Sequence, residues 1–339
     1  MGLVRYLARR FIFVVFLLIG VSFFVFVLSN SVPGDPTVAF LSSRNLNNEE
    51  MVRSFREKWG MDKPLMTRYG YYLRNLTKGD LGSSIRTHRP VLTDLKEYFP
   101  ATMELALFST TLAVVFGVLF GVVSARKRNS LLDQGLRGFS VIGVSAPTFW
   151  LALLFLFVFY YKLGWAPGLG RLSFGYTPPD PITNFYVLDA ALQGEWSLAF
   201  DALSHLVLPG IVLALFTMGL ITRTTRSNIL EVMTMDYIRT ARAKGLSWSA
   251  VTNRHALGNA MIPVITVISV GFENLLGGTV LVETIFSWPG IGQYAYKSAT
   301  SLDFPAITGV SLLIAVIYIV INLIIDLLYG LLDPRVKYE

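Results

Sequence analysis

The chain has 339 residues, of which 53% are hydrophobic and only 15% are charged, and its mean hydropathy is +0.55. A soluble globular domain carries roughly 25% charged residues, so this composition indicates a membrane protein. The absence of cysteine excludes disulfide frameworks, thiolate metal sites and cysteine nucleophiles. A net charge of +7 would suggest nucleic-acid binding in a soluble protein. In a membrane protein it indicates basic cytoplasmic loops, and no nucleic-acid partner is expected.

Six apolar segments are candidates to cross about 30 Å of hydrocarbon as helices. The fourth is short and is interrupted by Pro209, and the third contains Pro147, which neighbouring helices can tolerate inside a bundle. The first has an apolar run longer than that of a signal peptide and no A-x-A site follows it, so we expect an uncleaved anchor. The predicted spans are 11–28, 105–125, 139–161, 205–221, 262–282 and 307–328.

Lysine and arginine are concentrated on one side of these spans, at both termini and in the loops 126–138 and 222–261. Cytoplasmic loops carry such an excess, so both termini are expected in the cytoplasm of a multi-pass cell-membrane protein. We therefore divide the chain into an N-terminal anchor helix (1–29), an external helical insertion (30–101) and a core of five further spans (102–339).

Two long segments lie on the expected outer side of the membrane. Within the insertion 30–101, apolar spacing predicts short helices over 49–59 and 64–76, followed by a turn at 79–82. A second insertion, 164–202, is rich in glycine and proline, and we expect it to loop over the external mouth.

Several alternative functions can be compared with the sequence. No phosphate-binding loop, H-E-x-x-H or G-x-S-x-G motif occurs, which argues against a membrane enzyme. A self-sufficient secondary transporter would need internal repeats and buried charge at the midplane. No repeat is evident, and Glu273 is the deepest acid of the spans.

Glu273, next to Asn274, has two open interpretations. A charge at bilayer depth is costly, so it either faces the translocation path or makes a structural interhelical hydrogen bond. Glu104 near the start of the second span is interpreted as an acid that favours the positive end of the helix dipole.

The loop 222–261 contains the start and stop signals of a short helix. Asp236 suits the N-cap region, and Gly245 suits the position after the helix. Arg242 and Lys244 suit the last turn. A second short helix is predicted to begin after Ser247 and to end before Pro263. Two short helices on an inner loop indicate a docking element.

Small residues among the basic ones support this interpretation. Ala241, Ala243 and Gly245 lack bulky side chains, so the backbone could approach a partner closely. A solvated loop without a partner is the simpler alternative.

At this point the sequence resembles a known family. Residues 236–245 and 255–263 are similar to the coupling loop of binding-protein-dependent ABC importer permeases, most of all the B-type subunit of the dipeptide, oligopeptide and nickel group. Arg239-Thr240-Ala241 replaces the Glu-Ala-Ala of the general motif, a form that the peptide group shares. Further matching fragments occur in order at 33–36, 79–84, 100–105, 147–150, 224–228, 282–290 and 326–335.

The resemblance implies an all-α membrane protein with six transmembrane helices in the type I ABC importer permease fold, carrying the outer insertions 30–101 and 164–202. It implies pairing with a homologous second (C-type) permease subunit, two ATP-binding subunits beneath, and an external solute-binding protein. ATP and Mg²⁺ would be held by those partners, so this chain is expected to bind no cofactor or metal and not to be an enzyme.

The resemblance also implies a substrate class and the residues that contact an ATPase. Peptides are the expected substrate, with nickel or sugar oligomers as alternatives handled by the same architecture. The candidates for the substrate path are Glu273 and Asn274, on the first of the two interpretations given above for Glu273. The residues expected to couple the chain to an ATPase are Asp236, Tyr237, Arg239, Thr240, Ala241, Ala243, Lys244 and Gly245.

Overall fold

The computed structural model describes residues 3–31, 50, 53 and 63–332. In these ranges the regular structure is helical, apart from one isolated bridge between Ser83 and Pro90, and the predicted all-α class is confirmed. The helices are α1 (Leu3–Ser31), α2 (Leu65–Leu76), α3 (Val91–Arg126), α4 (Leu131–Ser145), α5 (Thr148–Phe155), α6 (Tyr186–Leu192), α7 (Trp196–Val232), α8 (Asp236–Ala243), α9 (Trp248–Val251), α10 (Leu257–Ile285), α11 (Ile291–Thr300) and α12 (Phe304–Leu332), with π-helical turns at Leu156–Lys162 and Thr252–Ala256.

Each predicted span coincides with apolar helical structure. Among the described residues, α3, α7 and the Phe304–Ile324 part of α12 are each long and apolar enough to cross a membrane. The predicted third and fifth spans fall on bent pairs, α4 with α5 at 107° and the helices on either side of Met261 at 54°. The first falls on the shorter apolar stretch Phe13–Leu28 of α1.

Three prolines act differently from one another. Pro147 separates α4 from α5, because the residue before a proline avoids the helical region, and Ala146 is accordingly extended at ψ 131°. Pro209, by contrast, lies inside the continuous helix α7 and is itself buried, so the predicted interruption does not occur. The predicted end of a helix before Pro263 is also wrong, since α10 continues through that residue with a bend.

The described chain forms two compact units. One comprises described residues within Met1–Pro100 and Gly290–Ile324, and the other those within Ala101–Pro289 and Ile325–Asp333. The core of the first brings α3, α11 and α12 together, with the stacked rings of Tyr98 and Tyr294 beside it at 5.0 Å. Its buried residues are Val91, Leu95, Ile291, Tyr294, Ala306 and Val310.

The second unit is organised around α7, the most buried of the candidate membrane helices. Two glycines allow close helix contacts along it. A Cβ placed on Gly271 of α10 would lie 2.4 Å from the Thr217 methyl group, and one on Gly143 of α4 would lie 2.8 Å from the Leu215 carbonyl oxygen. Both distances are far below van der Waals contact, so these helices approach α7 at glycine.

In the outer segments, some of the predicted local structure is confirmed. The helix predicted over 64–76 is confirmed as α2, and the predicted turn carries Gly79 and Gly82 at φ +76° and +84°. The helix predicted over 49–59 lies almost wholly outside the described residues.

Candidate functional site

The predicted coupling helix exists as α8. Met235 is its N-cap residue and Asp236 its first helical residue. At the other end, Lys244 N–H donates to the Thr240 carbonyl at 3.2 Å, and Gly245 adopts φ +79°. A Cβ on Gly245 would meet no atom within 4 Å, so only the backbone conformation favours glycine here.

One face of α8 is buried against its own chain. Ile238 and Ala241, three residues apart and therefore on the same side of the helix, are 0% and 7% exposed. Ala241 thus packs inward, which differs from its expected place on a partner-facing surface. The cluster that covers this face consists of Ala125, Ile229, Val232, Val251, Ala256 and Ala260.

The opposite side of α8 is open. Asp236 and Arg239 form an ion pair at 3.3 Å, but their side chains are 95% and 75% exposed, so the pair contributes little to stability. These charges therefore remain available to a partner. The exposed predicted residues, which we call the outer face of α8, are Asp236, Tyr237, Arg239, Thr240, Ala243, Lys244 and Gly245.

Polar contacts fix α8 to the following segment. The Tyr237 hydroxyl accepts a hydrogen bond from Asn259 Nδ2 at 2.8 Å. Ser247 caps α9, since its Oγ accepts from Ala250 N–H at 3.3 Å. The guanidinium of Arg126, at the end of α3, lies 5.7 Å from the centre of the Trp248 ring. The short helices therefore belong to the same packed body as the membrane helices beside them.

A buried carboxylate close to this loop was not predicted as a functional residue. Asp133 is fully buried and accepts from Arg226 Nε at 2.8 Å and Nη2 at 2.9 Å, from Asn129 N–H at 2.9 Å, and from the Ser124 hydroxyl. It therefore joins the end of α3, the start of α4 and the C-terminal part of α7. The sequence feature that could have revealed this role is that Asp133 is the single acid in the basic loop 126–138.

The dipole interpretation of Glu104 is wrong. The helix α3 begins at Val91, so Glu104 lies several turns beyond the region where the dipole acts. Its carboxylate instead accepts from Arg171 Nη2 at 2.5 Å and from Val187 N–H at 2.9 Å. The Arg171 guanidinium also stacks 3.4 Å from the Tyr186 ring centre. Glu104 thus anchors the insertion 164–202 to α3.

The predicted path residues lie on α10. Glu273 is half-buried and Asn274 is exposed, and both lie on the helix that begins at Leu257 within the loop that carries α8. A different acid of α10, Glu283, is fully buried and accepts from the Thr102 hydroxyl at 2.7 Å. Among the described residues no group of His, Asp and Glu side chains is arranged to hold a metal ion.

The fold and the long apolar helices define the class: this is an all-helical integral membrane protein. A family model described as the inner membrane component of binding-protein-dependent transport systems matches residues 117–338, and the model of the corresponding N-terminal region matches residues 3–106. The chain belongs to this family of transport-system permeases.

Curated relatives are similar over nearly their whole length. The dipeptide transport system permease protein DppB of Alkalihalophilus pseudofirmus is 41% identical, over 99% of this chain and 100% of the relative. The probable D,D-dipeptide transport system permease protein DdpB of Escherichia coli is 43% identical, over 94% and 93%. The oligopeptide transport system permease protein AppB of Bacillus subtilis is 37% identical, over 98% and 99%.

A solved structure supports the fold. A chain of the MetNI methionine ABC transporter, in inward-facing conformations, is similar with a TM-score of 0.50 at 16% identity. The match covers 69% of this chain and 93% of that chain.

Proposed function

We propose that this chain is the B-type permease subunit of a peptide-importing ABC transporter. It pairs with a homologous second permease subunit, rests on two ATP-binding subunits that hold ATP and Mg²⁺, and receives peptide from an external solute-binding protein. Both termini lie in the cytoplasm, and the chain itself hydrolyses nothing. The near full-length similarity to dipeptide and oligopeptide permeases supports the peptide substrate.

The two-sided packing of α8 is the observation that carries the proposal. Its inner side, at Ile238 and Ala241, is buried against the chain's own helices, while its outer face presents charged and small residues. A short helix with only one buried face is suited to receive a second protein on the other. Each ATP-binding subunit would contact such a helix from one permease subunit.

The packing also indicates how movement is transmitted. The cluster under α8 contains residues of α3, α7, α9 and α10, so a force on the outer face acts on several membrane helices at once. Packed cores shift as rigid bodies between discrete arrangements. Closure of the ATP-binding subunits would therefore move these helices together and change which side of the membrane the path faces.

Ala243→Trp tests the proposed contact. Ala243 is exposed at the end of α8, so a bulky ring there should leave the fold intact and hold the partner away. We expect normal abundance in the membrane, at least a tenfold loss of peptide uptake, and loss of the co-purified ATP-binding subunits or of their stimulation by loaded binding protein.

The matched control is Ala299→Trp, the same change at an exposed alanine of α11. It should keep both uptake and co-purification. Normal coupled ATP hydrolysis in the Ala243→Trp variant would show that α8 is not the coupling element.

The substrate class has its own test, because peptides, nickel and sugar oligomers are the competing candidates. A ligand that binds only the folded state raises the unfolding temperature. Thermal unfolding of the cognate solute-binding protein, measured against panels of dipeptides, longer peptides, Ni²⁺ and oligosaccharides, should show stabilisation by peptides. Stabilisation by Ni²⁺ or sugars alone would contradict the peptide assignment.

A further inference from the structure

Exposed aromatic rings are unusually frequent in the outer insertion. Phe174 is fully exposed at 109%, Trp165 is 75% exposed, Phe200 68%, Trp196 62% and Tyr176 44%. We call these five residues the aromatic collar. Large exposed apolar groups that recur in one region indicate a surface that is covered by something other than water.

The sequence of α7 shows at which depth this collar lies. Residues 202–222 contain no Asp, Glu, Lys or Arg, and Asp201 and Arg223 stand at the two ends of that stretch. At about 1.5 Å per helical residue the stretch measures roughly 30 Å, which is the thickness of the hydrocarbon core. Asp201 therefore marks one edge of the hydrocarbon, on the side where α7 begins.

Hydrogen bonds hold the collar at the level of Asp201. Ser173 donates twice to its carboxylate, from N–H at 2.8 Å and from Oγ at 2.6 Å, so the neighbouring Phe174 lies beside that edge. The hydroxyl groups of Tyr176 and Ser197 are 2.9 Å apart, which places Tyr176 one turn further out.

The remaining collar residues lie at the ends of membrane helices. Trp196 and Phe200 are four residues apart on the first turns of α7 and so share a face. Trp165 follows the π-helical turn Leu156–Lys162, and its N–H donates to the Phe159 carbonyl at 2.8 Å. Phe174, Tyr176, Trp196 and Phe200 thus lie just outside the hydrocarbon edge marked by Asp201, while Trp165 follows the end of another apolar helix.

We propose that the aromatic collar is inserted in the headgroup layer of the outer leaflet, so that the insertion lies on the membrane surface beside α7. Trp and Tyr concentrate at this depth because their rings are apolar while one end remains polar. The small number of exposed charges supports this placement. Among the charged residues within 163–200, Arg171 and Asp189 are buried, and only Asp180 and Glu195 are exposed. A surface with so little exposed charge offers few groups for recognising a protein partner and fits a lipid interface.

Spin-label accessibility tests this placement directly. The chain contains no cysteine, so Phe174→Cys and Phe200→Cys each give one labelling site. The labelled full-length chain, with its co-purifying subunits, is reconstituted in phosphatidylcholine–phosphatidylglycerol nanodiscs. Collision rates with oxygen, which concentrates in lipid, and with a water-soluble nickel chelate are then measured. Asp180→Cys, an exposed position of the same insertion, is the aqueous control.

We expect labels at 174 and 200 to show an oxygen-to-nickel collision ratio several-fold higher than the label at 180. Equal ratios at all three sites would overturn the proposal, because the collar would then face water. Low collision rates with both reagents at 174 and 200 would also overturn it, since they would show a protein partner covering the collar.

Discussion

The Asp133 carboxylate is fully buried and accepts four hydrogen bonds. The Arg226 side chain, which donates two of them, is only 18% exposed. Removing one partner of such a pair leaves the other charge buried and unpaired, which costs about 3–5 kcal/mol. We predict that Asp133→Ala lowers membrane abundance and the unfolding temperature of the purified protein. The double variant with Arg226→Met should recover part of the loss.

The exposed residue Asp180 supplies the comparison, because Asp180→Ala should leave the unfolding temperature unchanged. An Asp133→Ala variant as stable as Asp180→Ala would contradict a structural role for the buried pair.

Asp189 should make the outer insertion sensitive to acid. Burial by itself raises its pKa, but donation from the Thr183 hydroxyl and from the N–H groups of Ile182, Thr183 and Asn184 outweighs burial and holds the pKa below its usual value. A carboxylate with a lowered pKa stabilises the fold above its unfolded pKa of about 4, and this contribution is lost as the pH falls further.

Hydrogen exchange of the residues 182–184 checks this expectation. Their protection should be constant at neutral pH and decline below about pH 4. In Asp189→Asn it should be weaker at pH 7 and nearly independent of pH. Equal protection in both proteins across this range would show that the carboxylate does not hold the loop.

Residue types reveal local roles more readily than distant partners. The helix stop at Gly245 and the cap at Ser247 follow from contacts within a few residues, and both were predicted. The pairing of Glu104 with Arg171 joins residues far apart in the chain, and nothing in either neighbourhood specifies the other. Ala241 was placed correctly in α8, but which way it faces depends on the cluster beneath.

At the scale of elements, the end of α8 depends on one glycine. Gly245 has φ +79°, a conformation that costs other residues about 1–2 kcal/mol. A Cβ at this position would meet no atom within 4 Å, so the backbone conformation alone disfavours a larger residue. Gly245→Ala should therefore reduce uptake several-fold while abundance stays normal. Gly138→Ala in α4, where the added atom also meets nothing but the backbone is ordinarily helical, should transport like the unmodified chain. Equal uptake by both variants would show that this helix end is unimportant.

The contact between α7 and α10 should be sensitive to a single methyl group. A Cβ on Gly271 would lie 2.4 Å from the Thr217 methyl group, whereas one on Gly278 of the same helix would meet nothing within 4 Å. Overpacking costs about 1–3 kcal/mol, so Gly271→Ala should lower the unfolding temperature and Gly278→Ala should not. Adding Thr217→Ala should restore part of the loss. Equal stability of the two alanine variants would argue against close packing here.

Helix positions were predictable because a span needs a continuous apolar run, which the sequence displays directly. Helix bends were not, because they depend on the neighbours of each proline. Pro209 is accommodated inside buried α7, while Pro147 ends one helix and begins another at 107°.

For the whole molecule, the proposed function means that the chain supplies a path and receives its energy from partner subunits. The family membership and the packing of α8 agree with a chain that forms the path while other subunits supply the energy. The competing account is a secondary transporter, which would work alone on an ion gradient.

Uptake of a radiolabelled dipeptide into proteoliposomes separates the two accounts most directly. The chain is reconstituted alone, and also with the second permease subunit, both ATP-binding subunits and the solute-binding protein. We predict uptake only in the complete assembly, with ATP supplied on the side of the ATP-binding subunits. Uptake by the chain alone, driven by a proton or sodium gradient and indifferent to ATP, would contradict the account.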